Sequence, residues 1–344
     1  MDAIDAPCAV MNRLPEGFLD CPAEKLIDIL PGPTLFDLAG HDPHPLFVST
    51  LLHGNEYSGL AAMQSVLRRH AARGLPRALL FFVGNVRAAA ANVRTLPDQL
   101  DYNRVWPGTL YPEDPQAFQA RWIYDYAARR GLFASIDIHN NTGFNPHYAC
   151  IRTLEPKFIA LARLFSRIVV HSQRPVGTHA AAFADLSPAL TAECGKAGAG
   201  SATEHAIELV EAALSISHLP DHPPAPQDVE LLRTYAIVKP PAEASFSFDG
   251  TPADFMFRGD IDHMNFSELA PGASFGKARA GMRLDILPGE GDERPPGDYF
   301  DYADGDIRLS RSAIPAMLTV DPRAVKLDCL CYLMHKIDLH GERL

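Results

Sequence analysis

Dense basic stretches are missing from this 344-residue chain, which carries 31 Lys and Arg against 42 Asp and Glu, a formal net charge of −11. Sequence-independent nucleic-acid binding needs clustered cations facing phosphates, so no nucleic-acid partner is expected. Cysteine is scarce too, with residues only at 8, 21, 150, 194, 329 and 331. In a chain this long they do not read as a disulfide framework, and no CxxC pair suggests a zinc knuckle. Cys329 and Cys331 have the spacing that puts two strand side chains on one face. The set reads as buried free thiols in a reducing cytoplasm. No run reaches the roughly 18 apolar residues a membrane helix needs, so no membrane association is expected. The opening MDAIDAPCAVMNRLPEG lacks a basic start followed by an apolar stretch, so no signal peptide is expected. No GxGxxG follows an apolar strand and GxxxxGK[ST] is absent, while the GASFG at 272–276 lies in a stretch of short alternating segments rather than between a buried strand and a helix, so no GxSxG elbow appears. Dinucleotide, P-loop and serine-hydrolase chemistry are therefore unsupported.

What is present is ample core material, with 47% hydrophobic and 21% charged residues. The length fits one large domain or two unequal ones. Apolar runs at 45–52, 78–86, 132–140, 148–154, 167–172 and 187–195 read as buried strands. Between them lie helical patterns at 56–73, 114–130, 156–166 and 201–217. In the first, Leu60, Met63, Val66 and Leu67 share a face. The pattern at 114–130 opens with PEDP and stops at Gly131. This alternation predicts an α/β fold, with a mixed, mostly parallel sheet flanked by helices. The proline-rich first forty residues resist assignment. HLPDHPPAPQD (218–228) breaks the rhythm and reads as a boundary. Beyond it, TYAIVK, ASFSFDG, SFGKARAG, DIRLSR and AMLTVD suggest a smaller β-rich domain. The expected domains are 1–217 and 218–344.

Four polar clusters interrupt this apolar frame, mostly at strand ends, where open α/β sheets place their sites. His53 and Glu56 follow the strand at 45–52. An imidazole and a carboxylate three apart can converge on one ion if the loop curls into the next helix; alone, the spacing also fits a helix-start acid beside a chance His. His139 closes the strand at 132–140. Two His and one carboxylate leave a fourth metal position for water, which then ionises near neutral pH. Arg94 and Asp101-Tyr102-Asn103-Arg104 lie on a polar loop. Their guanidiniums suit two tasks, steadying an oxyanion and gripping a substrate carboxylate. Asp101 could orient a ligand His. Glu193 sits in an apolar strand, where a carboxylate is costly without a partner. It is either a salt-bridge partner or a general base that passes a proton to a leaving amine. His41, His44 and His70 read as surface or turn residues.

The segments LLHGNEYSG, GNVRAAAANVRTLPDQLDYNR, SIDIHNNTG and PALTAECG occur in an order that resembles the zinc carboxypeptidase superfamily. Across about residues 45–215 they look most like its succinylglutamate desuccinylase/aspartoacylase family. The resemblance implies one zinc per chain on His53, Glu56 and His139, with Glu193 as catalytic glutamate. It matches Arg94 to the carbonyl-polarising arginine, with Arg87 as rival, and Asn103 and Arg104 to the pair that binds the substrate carboxylate. It also implies a β-rich C-terminal domain narrowing the active-site mouth, from which Tyr299 or Tyr302 would reach the substrate. A homo-oligomer is compatible with the family. DYNR replaces the usual DLNR, GNV replaces GNP, and an arginine before the catalytic glutamate has no clear counterpart, Arg174 lying well upstream. These departures leave substrate identity open.

The expectation is a cytoplasmic, zinc-dependent amidohydrolase that removes an acyl group from an N-acyl amino acid or a similar small carboxylate-bearing amide. Zinc-activated water would attack and Glu193 would act as general base. A zinc carboxypeptidase for short peptides would share the same centre. A non-catalytic, metal-dependent binding protein on this fold is the third reading, and it has no need of Glu193.

Overall fold

The expected alternation of strands and helices folds as a layered α/β structure. A computed structural model describes residues 7–289 and 294–344. The chain divides into two compact units, one of Met1–Asn140 with His147–Glu230, the other of Asn141–Pro146 with Leu231–Leu344.

The first unit contains β1 (Ala9–Met11), β2 (Thr34–Leu38), β3 (Gly40–Thr50), α1 (Ser58–His70), β4 (Leu75–Val83), α2 (Val86–Ala90), α3 (Pro115–Arg130), β5 (Ala134–Asn141), β6 (Tyr148–Ile151), α4 (Pro156–Arg163), β7 (Ile168–His171), α5 (His179–Phe183), β8 (Ala189–Lys196) and α6 (Gly200–Ser215). Its strands lie in the order β1-β2-β4-β3-β5-β8-β6-β7. The pairs β1/β2, β3/β4, β3/β5 and β6/β7 are parallel, whereas β2/β4 and β6/β8 are antiparallel. The sheet is thus mixed and mostly parallel, as expected.

Central strands buried on both faces need apolar residues at successive positions. Leu46–Val48 and Leu79–Val83 supply them and are at most 1% exposed. Phe18, Phe36 and Phe81 pack with ring centroids 5.0 to 6.2 Å apart. Helix α1 buries Leu60, Met63, Val66 and Leu67, the face its periodicity predicts. Helix α3 starts where Asp114 accepts from the Gln116 N–H, with Pro115 at its first turn, and stops at left-handed Gly131 (φ 64°).

Several boundaries differ from the sequence reading. The first forty residues hold β1, two short 3-10 turns and β2. The strand expected through 86 ends at Val83, because Asn85 caps α2 by accepting from the Ala88 N–H. Helix α1 starts at Ser58 rather than 56, since His53–Tyr57 form a loop. The five-residue helices α2 and α5 are too short to show a period and were not anticipated.

In the second unit, β9 (Glu230–Lys239) continues into β10 (Phe246–Ser247), β11 (Phe255–Phe257), β12 (Ser274–Ala278), β13 (Asp285–Pro288), β14 (Phe300–Asp301), β15 (Asp306–Leu309), β16 (Ile314–Ala316), α7 (Pro322–Leu327) and β17 (Cys331–Ile337). A five-stranded sheet runs β10-β11-β12-β15-β14. β9 pairs antiparallel with both β13 and β17, and β17 with β16. Phe255, Phe257, Phe275, Phe300 and Ile307 fill the core. Residues 141–146 join this unit through Thr142 Oγ1 on Thr319 Oγ1 (2.9 Å) and the Met317 N–H donating to Asn145 Oδ1 (3.1 Å). The strand expected over AMLTVD stops at Ala316, because Met317 turns left-handed (φ 66°). Cys329 precedes β17 rather than sharing a strand with Cys331, although both are buried. The six cysteines are free thiols, four of them buried. Among the described residues, no helix is long and apolar enough to cross a membrane.

Candidate metal centre

Parallel strands that end together leave their following loops side by side. Strands β3 and β5 are paired in register, Val48 with Ile136 and Ser49 with Asp137. The loop after β3 therefore carries His53 and Glu56 to the end of β5, where His139 lies. His53 Nδ1 is 2.8 Å from Glu56 Oε1, and His139 Nδ1 is 2.7 Å from Glu56 Oε2. The two Nδ1 atoms are 3.2 Å apart. All three side chains are buried, and their ligand atoms lie within 4.8 Å of one another.

The outer nitrogens decide what the inner ones offer. His53 Nε2 is 2.9 Å from Asp101 Oδ1, and His139 Nε2 is 2.6 Å from Asp137 Oδ2. Each carboxylate accepts the Nε2 proton, which leaves each Nδ1 to present its lone pair inward. Two lone pairs and a carboxylate converging in a buried space repel one another unless a cation sits among them. Protons can serve. Burial and Arg94 disfavour the His53 imidazolium, yet Asp101 and Glu56 outweigh them and raise its pKa. Burial likewise disfavours the His139 cation, but Asp137 and Glu56 raise its pKa well above the usual value. Burial would raise the Glu56 carboxyl, and the two imidazoliums instead hold it far below the usual range. The donor set, two imidazole nitrogens and one carboxylate, each with a supporting partner, also fits a zinc-type ion.

Supporting residues extend the centre. Ser49 Oγ donates to Asp137 Oδ1 (2.6 Å). The Asn140 N–H donates to Glu56 Oε2 (3.1 Å), while its side chain accepts from the Ser58 N–H and donates to the Gly195 carbonyl (2.9 Å). Asn140 thus ties the loop carrying Glu56, the start of α1 and the end of β8 together. Gly54 lies so close to α2 that a Cβ there would fall 2.1 Å from the Ala88 carbonyl carbon.

Arg94 forks onto Asp101 Oδ2 through Nε (3.2 Å) and Nη2 (2.9 Å), with Nη1 3.6 Å from Glu56. Burial would raise the Asp101 carboxyl, but His53 and Arg94 hold it well below the usual range. Arg87 pairs instead with Asp98 on the surface. Asn103 is buried; its Nδ2 is 3.1 Å from His139 Nε2, and its Oδ1 accepts from the His179 N–H (2.9 Å). Arg104 Nη1 donates to the Asn103 carbonyl (2.8 Å). Glu193 is half-buried on β8, directly opposite Tyr148 of β6 and two residues before Gly195. It adds to the upward push that burial gives the Cys150 thiol. Tyr299 and Tyr302 belong to the second unit. Tyr299 is buried with its ring 6.2 Å from that of Tyr235, and the Tyr302 hydroxyl accepts from the Leu284 N–H (2.9 Å).

Three supporting residues carried no role in the sequence reading. Asp137 stands two before His139 on one strand face, so its position was readable. Asn140 and His179 were not, because their partners come from distant segments. His179 is fully buried among Phe47, Trp106 and Phe183, and burial lowers its pKa to about 4.

Comparison with known proteins adds to this geometry. The profile of the succinylglutamate desuccinylase/aspartoacylase catalytic domain matches residues 44–216. No curated protein sequence matches the chain. Among solved structures, the succinylglutamate desuccinylase from Chromobacterium violaceum is 18% identical, with a TM-score of 0.57 over 90% of this chain and 89% of that one. Murine aminoacylase 3 is 14% identical, with a TM-score of 0.55 over 87% and 97% of the two chains. The ectoine utilization protein EutE (DoeB) from Ruegeria pomeroyi is 16% identical, with a TM-score of 0.55 over 89% and 88%. At these identities the likeness is one of fold.

Proposed function

Since the chain belongs to the succinylglutamate desuccinylase/aspartoacylase family, we propose that it is a zinc-dependent amidohydrolase. Its substrate class is an N-acyl amino acid or a similar small amide bearing a carboxylate. One observation carries this reading: the inward-facing Nδ1 atoms of His53 and His139 meet both oxygens of Glu56, with Asp101 and Asp137 fixing the rings from behind.

Held by His53, Glu56 and His139, zinc would supply Lewis acidity and an acidified water. The chain's own residues do the rest. The Glu193 carboxylate takes the proton released as water oxygen bonds to the acyl carbon. It then delivers that proton to the amide nitrogen as the C–N bond breaks, leaving a carboxylate and a free amine. Arg94, already beside Glu56, steadies the negative charge that develops on the carbonyl oxygen. Asp101 keeps the Arg94 fork in place while holding His53. Arg104 and Asn103 present donors for the substrate carboxylate, a guanidinium fork and an amide N–H.

The test is Glu193→Gln, assayed for zinc content and for turnover of a panel of N-acyl amino acids. Zinc retained at the wild-type ratio with turnover reduced at least a hundredfold is the expected result. Wild-type turnover in Glu193→Gln, or a zinc-replete wild type that hydrolyses none of the panel, would overturn the proposal.

A further inference from the structure

A cavity of about 790 Å³ opens in the first unit away from the candidate metal centre. Its lining comes from β1 and the loop after it, from Asp37 and Ala39, and from Tyr126 and Arg130 of α3. Strand β1 is the sheet edge, and β4 separates β2 from β3, which leads to the metal loop. The volume falls within the range of small-molecule sites, roughly 300–1,000 Å³.

The polar groups of this cavity divide into committed and uncommitted ones. The Tyr126 hydroxyl donates to Asp37 Oδ2 (2.6 Å), and Arg130 pairs with the same oxygen. Asp37 is therefore ion-paired, with its Oδ2 engaged twice. Asn12 and Arg13 are exposed, and among the described residues no hydrogen bond or ion pair engages either side chain. Around them stand Val10, Met11, Leu14 and Pro15. The cavity thus offers a free amide N–H, a free guanidinium fork and apolar walls, with no free carboxylate.

We infer that this cavity is a second small-molecule site that takes an organic carboxylate with an apolar body. Asn12 and Arg13 hold the carboxylate oxygens, Arg13 through two parallel N–H bonds, and Val10, Met11 and Leu14 cover the body. A ligand ammonium gains little here, because the one carboxylate in the lining is already compensated by Arg130. The site therefore favours an acid, or an intact N-acyl amino acid, over a free amino acid. It stands independently of the metal centre.

The experiment titrates 4-fluorophenylacetate, 4-fluorophenylacetamide and 4-fluorophenylalanine into zinc-loaded wild type and Arg13→Gln, followed by fluorine NMR. Saturable binding of the arylacetate that Arg13→Gln weakens at least tenfold, with turnover unchanged, is expected. The neutral amide and the amino acid should bind at least tenfold more weakly than the arylacetate. Arg13 is exposed, so its variant keeps the fold, which an unchanged melting temperature verifies. An arylacetate isotherm that is identical in both proteins, or an amide that binds as well as the acid, overturns the inference.

Discussion

Replacing Asp137 by Asn separates the charge behind His139 from its shape. Asp137 is fully buried and accepts from His139 Nε2 at 2.6 Å and from Ser49 Oγ at 2.6 Å. An Asn keeps one oxygen for the imidazole N–H and turns its amide toward Ser49, which can accept. The ring stays oriented, and what is lost is the negative charge that makes Nδ1 a better donor. Losses of this kind weaken metal binding by about 10- to 100-fold, or about 1.4–2.7 kcal/mol. A second effect opposes the first. The same carboxylate raises the His139 pKa, so in the metal-free protein zinc must displace a proton. The sign follows. The ion pairs of a raised His stabilise the metal-free fold fully below the unfolded pKa of about 6.5, and that contribution is lost as pH rises through the higher folded value. Asp137→Asn lowers the folded value and so relieves proton competition. The affinity deficit should therefore be smallest near neutrality and widest at alkaline pH. Competitive titration against a chelator across that range measures it. A variant within twofold of wild type throughout, or a deficit that shrinks as pH rises, would refute the reasoning.

Two further predictions concern the surroundings of the centre. In Gly54→Ala the new methyl meets the Ala88 carbonyl carbon at 2.1 Å, a backbone atom that cannot swing aside. The ligand loop must shift, so zinc content after dialysis should fall well below one per chain while the far-UV spectrum is kept; full zinc occupancy would contradict the contact. His179 has a pKa lowered to about 4, so it is neutral in the fold and takes a proton on unfolding below about 6.5. Its contribution is complete above the unfolded pKa and is lost as pH falls towards about 4, with at most about 3 kcal/mol at stake. His179→Phe should flatten the stability profile between those pH values in denaturant titrations. An equally steep profile would mean that another group drives the acid loss.

The parts legible in the sequence were those that local pattern controls. The apolar runs at 45–52 and 132–140 gave β3 and β5, and the caps Asp114 and Gly131 bounded α3 as expected. His53, Glu56 and His139 were legible because they lie at or just beyond the ends of apolar strands, and they converge in one buried group. Less legible was whatever depends on tertiary partners. Nothing in the chain shows that Asn140 bonds to Gly195, 55 residues on, or that the His179 N–H holds Asn103. Arg94 and Arg87 look alike in sequence, and only the fold sets one against Glu56 and the other against a surface aspartate. Met317 ends an apolar run that reads as strand because one left-handed residue leaves no compositional trace.

The alternation of β5 links core packing to the candidate metal centre. Ser135, Asp137 and His139 lie on one side of the strand, and Ile136 and Ile138 on the other. The polar side forms a ladder: Ser135 Oγ is 3.1 Å from His179 Nε2, Asp137 receives Ser49, and His139 faces Glu56. The apolar side seats α1, where Gly59 approaches so closely that a Cβ would lie 2.9 Å from Ile138 and from Thr50 Cγ2. A one-residue slip of β5 against β3 would exchange the two sides, placing isoleucines at the centre and burying Asp137 unpartnered under α1. The register Ser49 opposite Asp137 is therefore enforced twice, by the close fit at Gly59 and by the hydrogen bond between the paired side chains. Because α1 begins two residues after Glu56, the contact that seats this helix on Ile138 also sets where the Glu56 carboxylate meets His139. Enlarging Gly59 should thus disturb the centre without touching a ligand.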